Sequence, residues 1–242
     1  RSEMCIRDSI SAISILTTIA ILFTLLTETI TFFTRVPFSK FFLTGTWNPT
    51  GSNPEYGIWA LIIGTLKITF IATIVSVPIG LGAAIYLNEY ASDRTRRIIK
   101  PILEILAGIP TIVFGFFALT FVTPILRSII PGLGEFNSIS PGIVVGIMIV
   151  PIITSLSEDA MSSVPNKIRE GAYGLGATKF EVATKVVLPA ATSGVVASIV
   201  LGVSRAIGET MIVSLAAGSP PTSSLSLTSS IQTMTGYIVE VA

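Results

Sequence analysis

The sequence predicts an all-α integral membrane protein. Of its 242 residues 50% are hydrophobic and only 12% are charged, and five apolar stretches are each long enough to cross a bilayer. A spanning helix needs about 20 apolar residues to cross about 30 Å of hydrocarbon. Few soluble domains carry so much apolar sequence with so little charge. We therefore expect a bundle of membrane-spanning helices.

Five predicted spans follow one another along the chain, at residues 10–33, 58–87, 105–126, 136–157 and 190–217. Residues 1–9 (RSEMCIRDS) do not begin with Met and lack the apolar core and cleavage site of a signal peptide. We expect these nine residues to be a non-native or truncated leader.

Basic residues indicate which loops are cytoplasmic. Four Lys and Arg residues lie in residues 88–101 and four in residues 157–189. The flanks on the other side hold three in all: two in residues 34–57, one in 127–137 and none after residue 218. Because Lys and Arg are enriched in cytoplasmic loops, the two basic loops are predicted to face the cytoplasm.

Helix-breaking residues occur inside several predicted spans. Membrane helices tolerate them where neighbouring helices or a polar cavity satisfy the released carbonyls. They indicate either ordinary kinks in a bundle or helices that line a pathway. Gly142 and Gly146 form a GxxxG pair that allows close helix contact. The other breakers are Pro78, Gly80, Gly82, Pro110, Gly115, Pro124, Pro141 and Pro151.

Several classes of protein are excluded by missing residue types. The chain has no His and a single cysteine, Cys5, which excludes His/Cys metal sites, disulfide frameworks and Cys–His or Ser–His catalysis. Its aspartates, Asp8, Asp93 and Asp159, lie outside the predicted spans, which argues against an intramembrane aspartyl protease. No Lys follows a Gly, so a Walker A motif is absent. The sequence predicts no enzyme activity and no ATP site of its own.

Residues 167–189, KIREGAYGLGATKFEVATKVVLP, are the long polar passage in the second half of the chain. The small residues in the first part of this passage allow a partner to approach closely. The second part has an apolar stripe with charged residues spaced along it. An amphipathic helix on the membrane surface is one interpretation. The glycines weaken an isolated helix by about 1 kcal/mol each, which favours a docking segment instead.

The spacing of this passage resembles the EAA loop (E-A-A-x3-G-x9-I-x-L-P) of binding-protein-dependent ABC importer permeases. The chain departs from that pattern at Gly171, where the family has Ala, and at Val186, where it has Ile. The resemblance implies a type I permease bundle whose loop, residues 158–189, couples to a cytoplasmic ATPase. The implied contacts are Glu170, Gly171, Ala172, Gly176, Leu188 and Pro189.

Three further stretches are similar to the phosphate importer permeases of the Pst system, and the RAIGETMIV and SIQTMTGYIVEV segments favour the PstC subunit over PstA. These stretches are residues 47–66, 105–119 and 204–221. The resemblance implies two ATPase subunits that bind ATP and Mg, a PstA-like second permease, an extracytoplasmic phosphate-binding protein and a prokaryotic cell membrane. No cofactor is expected on this chain itself.

The same resemblance implies a division of the chain. Residues 10–57 are expected to form the first span and an extracytoplasmic loop, and residues 58–217 the permease core. The family has a sixth span beyond this point. Residues 218–242 are therefore expected to be an extracytoplasmic segment leading to a last helix that this chain lacks.

Arg205 and Glu209 are charged residues four positions apart in the predicted fifth span, so a continuous helix would place them on one face. An unpaired charge there costs at least about 2.5–3.5 kcal/mol. Either the two form a self-neutralising ion pair, or Arg205 gives a bidentate contact to phosphate in the translocation pathway. Lys67, in the second span, can instead extend its side chain to the membrane surface.

Two other transport functions remain open at this level. The EAA loop is shared across its superfamily, so a permease for another oxyanion, such as molybdate or sulfate, fits the same motif. Composition alone also allows a secondary transporter, in which broken helices are typical.

Overall fold

The computed structural model describes residues 2–49, 53–218 and 226–241. Helices account for most of these residues, as the sequence predicts. The chain divides into two compact units, Arg1–Trp59 and Ala60–Ala242, which we describe separately.

The first unit begins with a long apolar helix, α1 (Ser2–Arg35). No Gly or Pro interrupts it. Threonines along the helix donate to carbonyls one turn back, for example Thr17 Oγ1 to Ile13 O at 2.8 Å, which satisfies their hydroxyls without water. Apolar side chains of α1 from residue 13 to residue 30 are exposed, as expected for a helix surrounded by lipid.

An aromatic cluster organises the rest of this unit. It joins the end of α1 to helix α2 (Phe38–Leu43) and to a two-residue antiparallel pair of strands, β1 (Trp47–Asn48) and β2 (Glu55–Tyr56). Most of the ring contacts are edge-to-face, an arrangement that aromatic quadrupoles favour. The rings are those of Phe32, Phe33, Phe38, Phe41, Phe42, Trp47 and Tyr56.

The second unit is built from helices, several of which join through π-helical turns. The α-helices are α3 (Trp59–Ile85), α4 (Asp93–Ala107), α5 (Thr111–Phe117), α6 (Thr123–Ile129), α7 (Ile139–Ser162), α8 (Asn166–Gly174), α9 (Lys179–Glu181), α10 (Leu188–Ala190), α11 (Thr192–Ile207), α12 (Met211–Ala216) and α13 (Met234–Val241). The π-helical turns are Tyr86–Tyr90, Ala118–Val122 and Val182–Val187.

Four helical segments in the described part of the chain are long and apolar enough to span a membrane: Ser11–Arg35, Trp59–Tyr90, Thr111–Ile129 and Ile139–Ser162. A fifth segment qualifies when Lys179–Ala190 and Thr192–Ile207, which meet at 76°, are counted as one bent span. The predicted all-helical membrane bundle is thereby confirmed.

Helix α7 lies at the centre of the second unit. It packs against α3, α4, α5, α11 and α12, and Val144, Val145 and Ile149 on it are fully buried. A Cβ on Gly142 would lie 2.8 Å from Ile71 Cβ, and one on Gly146 would lie 2.9 Å from Val75 Cβ. The GxxxG pair therefore makes the close helix contact that the sequence predicts.

The predicted third span, 105–126, begins too early. Helix α4 is a separate amphipathic helix that ends at Ala107, and the N–H of its C-cap, Gly108, donates to the carbonyls of Glu104 and Ile105 at 3.1 Å each. Pro110 then precedes α5, and the span runs over Thr111–Ile129. A proline disfavours helical geometry in the residue before it, which explains the break.

The predicted fourth and fifth spans also differ from the structure. Helix α7 continues past residue 157 to Ser162, although this extension includes two acidic residues. The fifth span is interrupted, because α11 ends at Ile207 and α12 starts at Met211. Gly208 closes α11, and its N–H donates to Ser204 O at 3.2 Å.

Residues 226–241 return to the helical core. Met234 N donates to Thr65 Oγ1 at 3.2 Å, and Ile231 N donates to Ala217 O at 3.1 Å. Lys67 is buried, and its ammonium donates to Ser226 O; that its side chain extends to the membrane surface stays a prediction. That residues 218–242 are extracytoplasmic stays a prediction, and residues 219–225 lie outside the described part.

Gly64 on α3 allows this C-terminal segment to approach, since a Cβ there would lie 2.1 Å from the backbone oxygen of Gln232. We expect Gly64→Ala to displace the segment at a cost of about 1–3 kcal/mol, typical of overpacking. The measurement is the thermal unfolding midpoint in detergent. Gly82→Ala on the same helix is the matched control: nothing lies within 4 Å of its Cβ, so stability should not fall. Equal midpoints for the two variants would contradict the close packing.

Candidate functional site

The polar passage folds as two short helices separated by a tight turn. Helix α8 ends in a Schellman motif, in which Ala177 N donates to Ala172 O at 3.2 Å and Gly176 N donates to Tyr173 O at 2.9 Å. Gly176 has a φ of 85°, in the left-handed region that favours glycine. At Gly176 the small residue is therefore required by the backbone conformation of the turn itself.

The second helix of the loop starts with a capping box. Glu181 N donates to Thr178 Oγ1 at 3.3 Å, and Thr178 N donates to Glu181 Oε2 at 3.1 Å. The backbone N–H of Thr178 and the ammonium of Lys185 lower the pKa of Glu181 to about 2. The helix then continues through a π-helical turn to Pro189 and Ala190. The turn at Gly176 is therefore fixed by backbone hydrogen bonds on the α8 side and by backbone-to-side-chain hydrogen bonds on the other side.

The predicted coupling residues divide into two groups. Glu170, Gly171, Gly176 and Pro189 are exposed. Ala172 and Leu188 are half-buried and pack on a hydrophobic cluster formed by Ala84, Met161, Val164, Val182, Val187, Ala191 and Val195.

Next to the turn, Leu175 is 90% exposed and Phe180 is 66% exposed. The loop therefore has an exposed apolar tip, and its other side packs on the hydrophobic cluster through Ala172 and Leu188. This arrangement is suited to docking.

An ionic cluster, formed by Glu89, Arg96, Lys100, Glu158, Asp159 and Arg169, lies beside this loop. Glu158, on α7, is 1% exposed and pairs with Arg96 at 3.2 Å and with Lys100. Lys100 also pairs with Asp159 at 3.2 Å. The hydrogen bond to Glu158 raises the pKa of Lys100. These two cations on α4 explain why α7 can continue past a buried carboxylate.

A second buried pair completes the ionic cluster. Arg169 on α8 pairs with Glu89 in the π-helical turn Tyr86–Tyr90. These pairs were not predicted from the sequence. Acidic residues at the ends of two spans, next to basic loops, were the signal that could have found them.

The structure places Arg205 and Glu209 on one open groove but not on one continuous helix. Arg205 is in the last turn of α11, whereas Glu209 lies in the break before α12. The groove has a volume of about 470 Å³. Its lining residues are Thr111, Arg205, Gly208, Glu209, Thr210, Met211 and Val239.

The two charges differ in their surroundings. Glu209 is 7% exposed, its Oε1 accepts a hydrogen bond from Ile212 N at 3.4 Å, and its backbone carbonyl accepts one from Thr235 Oγ1 at 2.8 Å. Arg205 is exposed, and within the described residues it forms no ion pair. The arrangement leaves a guanidinium available at an interrupted membrane helix, where polar groups can face a cavity.

Comparison with known proteins identifies the family. Residues 76–242 match the family described as binding-protein-dependent transport system inner membrane component. The chain belongs to this family, and it is a multi-pass membrane protein.

Individual relatives make the likeness more specific. The chain is 39% identical over 173 residues to the probable ABC transporter permease protein YqgH of Bacillus subtilis, with 71% of this chain and 56% of the relative covered. It is also 39% identical over 191 residues to the phosphate transport system permease protein PstC of Pasteurella multocida, with 71% and 59% covered. The chain thus spans somewhat over half the length of these relatives.

A solved structure supports the fold. The MetNI methionine ABC transporter, in an inward-facing conformation, is similar with a TM-score of 0.53 over 62% of this chain and 71% of that chain. The sequence identity is 22%, so this likeness concerns the fold alone. The predicted ABC importer permease bundle is confirmed.

The turn at Gly176 leads to a test of the loop. Gly176→Ala forces a Cβ into a left-handed conformation at a cost of about 1–2 kcal/mol, so the turn should rearrange and retention of a co-expressed ATPase subunit should fall. Gly174→Ala is the matched control: it lies in α8 outside the predicted contact residues, and nothing is within 4 Å of its Cβ. The measurement is co-purification of the ATPase subunit with each variant. Equal retention for both variants would count against a role of this turn in docking.

Proposed function

We propose that this chain is a transmembrane permease subunit of an ATP-driven, binding-protein-dependent phosphate importer and forms half of its translocation pathway. The observation that carries the proposal is Arg205, whose exposed guanidinium lies on an open groove at a helix break and forms no ion pair with any described residue, in a chain similar to phosphate transport permeases. A planar guanidinium offers two parallel hydrogen bonds to phosphate oxygens.

The groove is suited to passage rather than to tight retention of an anion. The buried carboxylate of Glu209 lies on the same groove as Arg205 and opposes the attraction of the guanidinium for phosphate. The hydroxyl of Thr111 adds a neutral donor. A pathway must bind an ion well enough to admit it and weakly enough to release it.

Energy for transport comes from other subunits in this proposal. The sequence has no Walker A motif, so ATP and Mg belong to cytoplasmic ATPase subunits. The exposed loop around Leu175 and Gly176 is where they dock, with Glu170, Gly171, Ala172, Leu188 and Pro189 as the predicted contact residues. A second, PstA-like permease supplies the other half of the pathway, and an extracytoplasmic phosphate-binding protein delivers the substrate.

Competition by other anions tests the substrate. Proteoliposomes that contain the importer with its ATPase and binding protein should take up labelled phosphate in an ATP-dependent manner. An excess of molybdate or sulfate should leave uptake unchanged. Inhibition by either anion to the extent seen with unlabelled phosphate would indicate a permease for another oxyanion, and ATP-independent uptake would indicate a secondary transporter.

The role of Arg205 is tested by neutral and conservative substitutions. Arg205→Gln should abolish phosphate uptake while assembly with the ATPase is retained, because the side chain is exposed on the groove. Arg205→Lys should retain part of the uptake, since an ammonium keeps the charge but loses the planar fork. Arg97→Gln, at an exposed arginine of α4, is the control and should transport normally. Unchanged phosphate uptake in Arg205→Gln would exclude this role.

A further inference from the structure

Arg169 joins three helical elements through one guanidinium. It is the residue immediately before Glu170 in α8. Its Nη1 pairs with Glu89 Oε1 at the end of the second span, and its Nη2 donates to Met161 O, at the end of α7, at 2.7 Å. The start of the coupling loop is therefore attached to the ends of two membrane helices.

The burial of this ion pair distinguishes it from a surface contact. The Glu89 side chain is 4% exposed and that of Arg169 is 14% exposed. Desolvation offsets much of the Coulomb attraction in such pairs, so this pair is weak evidence for added stability, and in some proteins such pairs fix one arrangement of the chain. Lys185 and Glu181, in the same loop, form a pair whose side chains are 72% and 41% exposed, a kind worth little.

The same two span ends are also joined to each other without α8. Arg96 Nη2 donates to Leu87 O at 3.0 Å and pairs with Glu158 Oε1 at 3.2 Å. One side chain of α4 thus connects the end of the second span to α7. The two ends form one body, to which Arg169 attaches α8.

The covalent connection between α7 and α8 is short and lies outside both helices. Residues 163–165 separate Ser162 from Asn166, and Val164 in this linker packs in the hydrophobic cluster without a side-chain hydrogen bond. The half-buried Ala172 adds apolar contact but no directional bond. Arg169 supplies directional bonds to both span ends.

We propose that Arg169 is the positioning residue that transmits movement of the coupling loop to the second and fourth spans, with Glu89 as its partner. When an ATPase subunit displaces α8, the guanidinium moves the ends of both spans with it instead of letting the linker at residues 163–165 absorb the displacement. This inference rests on the proposed function, because it requires an ATPase docked on the loop.

The test measures the phosphate imported per ATP hydrolysed in proteoliposomes with the complete importer. Arg169→Gln should lower this ratio about fivefold, within the range found for residues that couple distant sites. Association with the ATPase should persist, since the exposed tip at Leu175 is unchanged. The ratio for Arg169→Lys should lie between those of the wild type and Arg169→Gln, because one ammonium cannot reproduce both contacts of the guanidinium. Lys185→Gln is the matched control in the same loop and should leave the ratio unchanged.

Glu89→Gln tests the same pair from the spanning helix and is expected to lower the ratio as Arg169→Gln does. If one of the two variants fails to assemble, the other decides. A wild-type ratio in a variant that assembles overturns the proposal, as does loss of ATPase association in both variants, which would assign the pair to folding. If the wild-type complex neither binds an ATPase nor imports phosphate, the proposed function itself is wrong, and this inference is overturned with it.

Discussion

Inside a bilayer a backbone polar group must be satisfied within the protein or face a water-filled cavity, and this constraint bears on where the helices of this chain end. Helix α7 continues past Glu158 because Arg96 and Lys100 meet the carboxylate from α4. At the break after α11 the carbonyl of Glu209 is satisfied by Thr235 Oγ1. Helix boundaries therefore coincide with polar side-chain contacts, and the two places where these contacts concentrate are the candidate coupling and translocation sites.

Helix α11 connects these two sites. It follows the second helix of the coupling loop after a bend of 76°, and its last turn carries Arg205 on the groove. Its 16 residues correspond to about 24 Å at 1.5 Å per residue. Because a regular helix changes length little, a tilt imposed at the loop end reaches the groove end. Under the proposed function, the ionic cluster and α11 are two parallel routes from one loop into the membrane.

Local sequence patterns predicted much of this arrangement. The span helices follow from apolar length. The turn at Gly176 and the capping box of Thr178 and Glu181 were not predicted, although a Gly followed by a Thr with Glu three positions later is the local signal for them. The ionic cluster was missed because its pairs join residues far apart in sequence: Glu89 and Arg169 are 80 positions apart. The break at Gly208 was missed because one glycine in an apolar run is a weak signal: membrane helices often contain glycine without interruption. The features that the sequence did not predict, the ionic cluster and the break at Gly208, depend on tertiary contacts.

That break changes the electrostatics of the groove. On a continuous helix Arg205 and Glu209 would lie one turn apart, in the geometry that favours an ion pair. Because α11 ends at Ile207, the Glu209 carboxylate instead contacts Ile212 N at the start of α12. A carboxylate that accepts a backbone N–H there interacts favourably with the positive end of the helix dipole. The acidic side chain is thus stabilised without the guanidinium, and under the proposed function Arg205 is available to an anion in the groove.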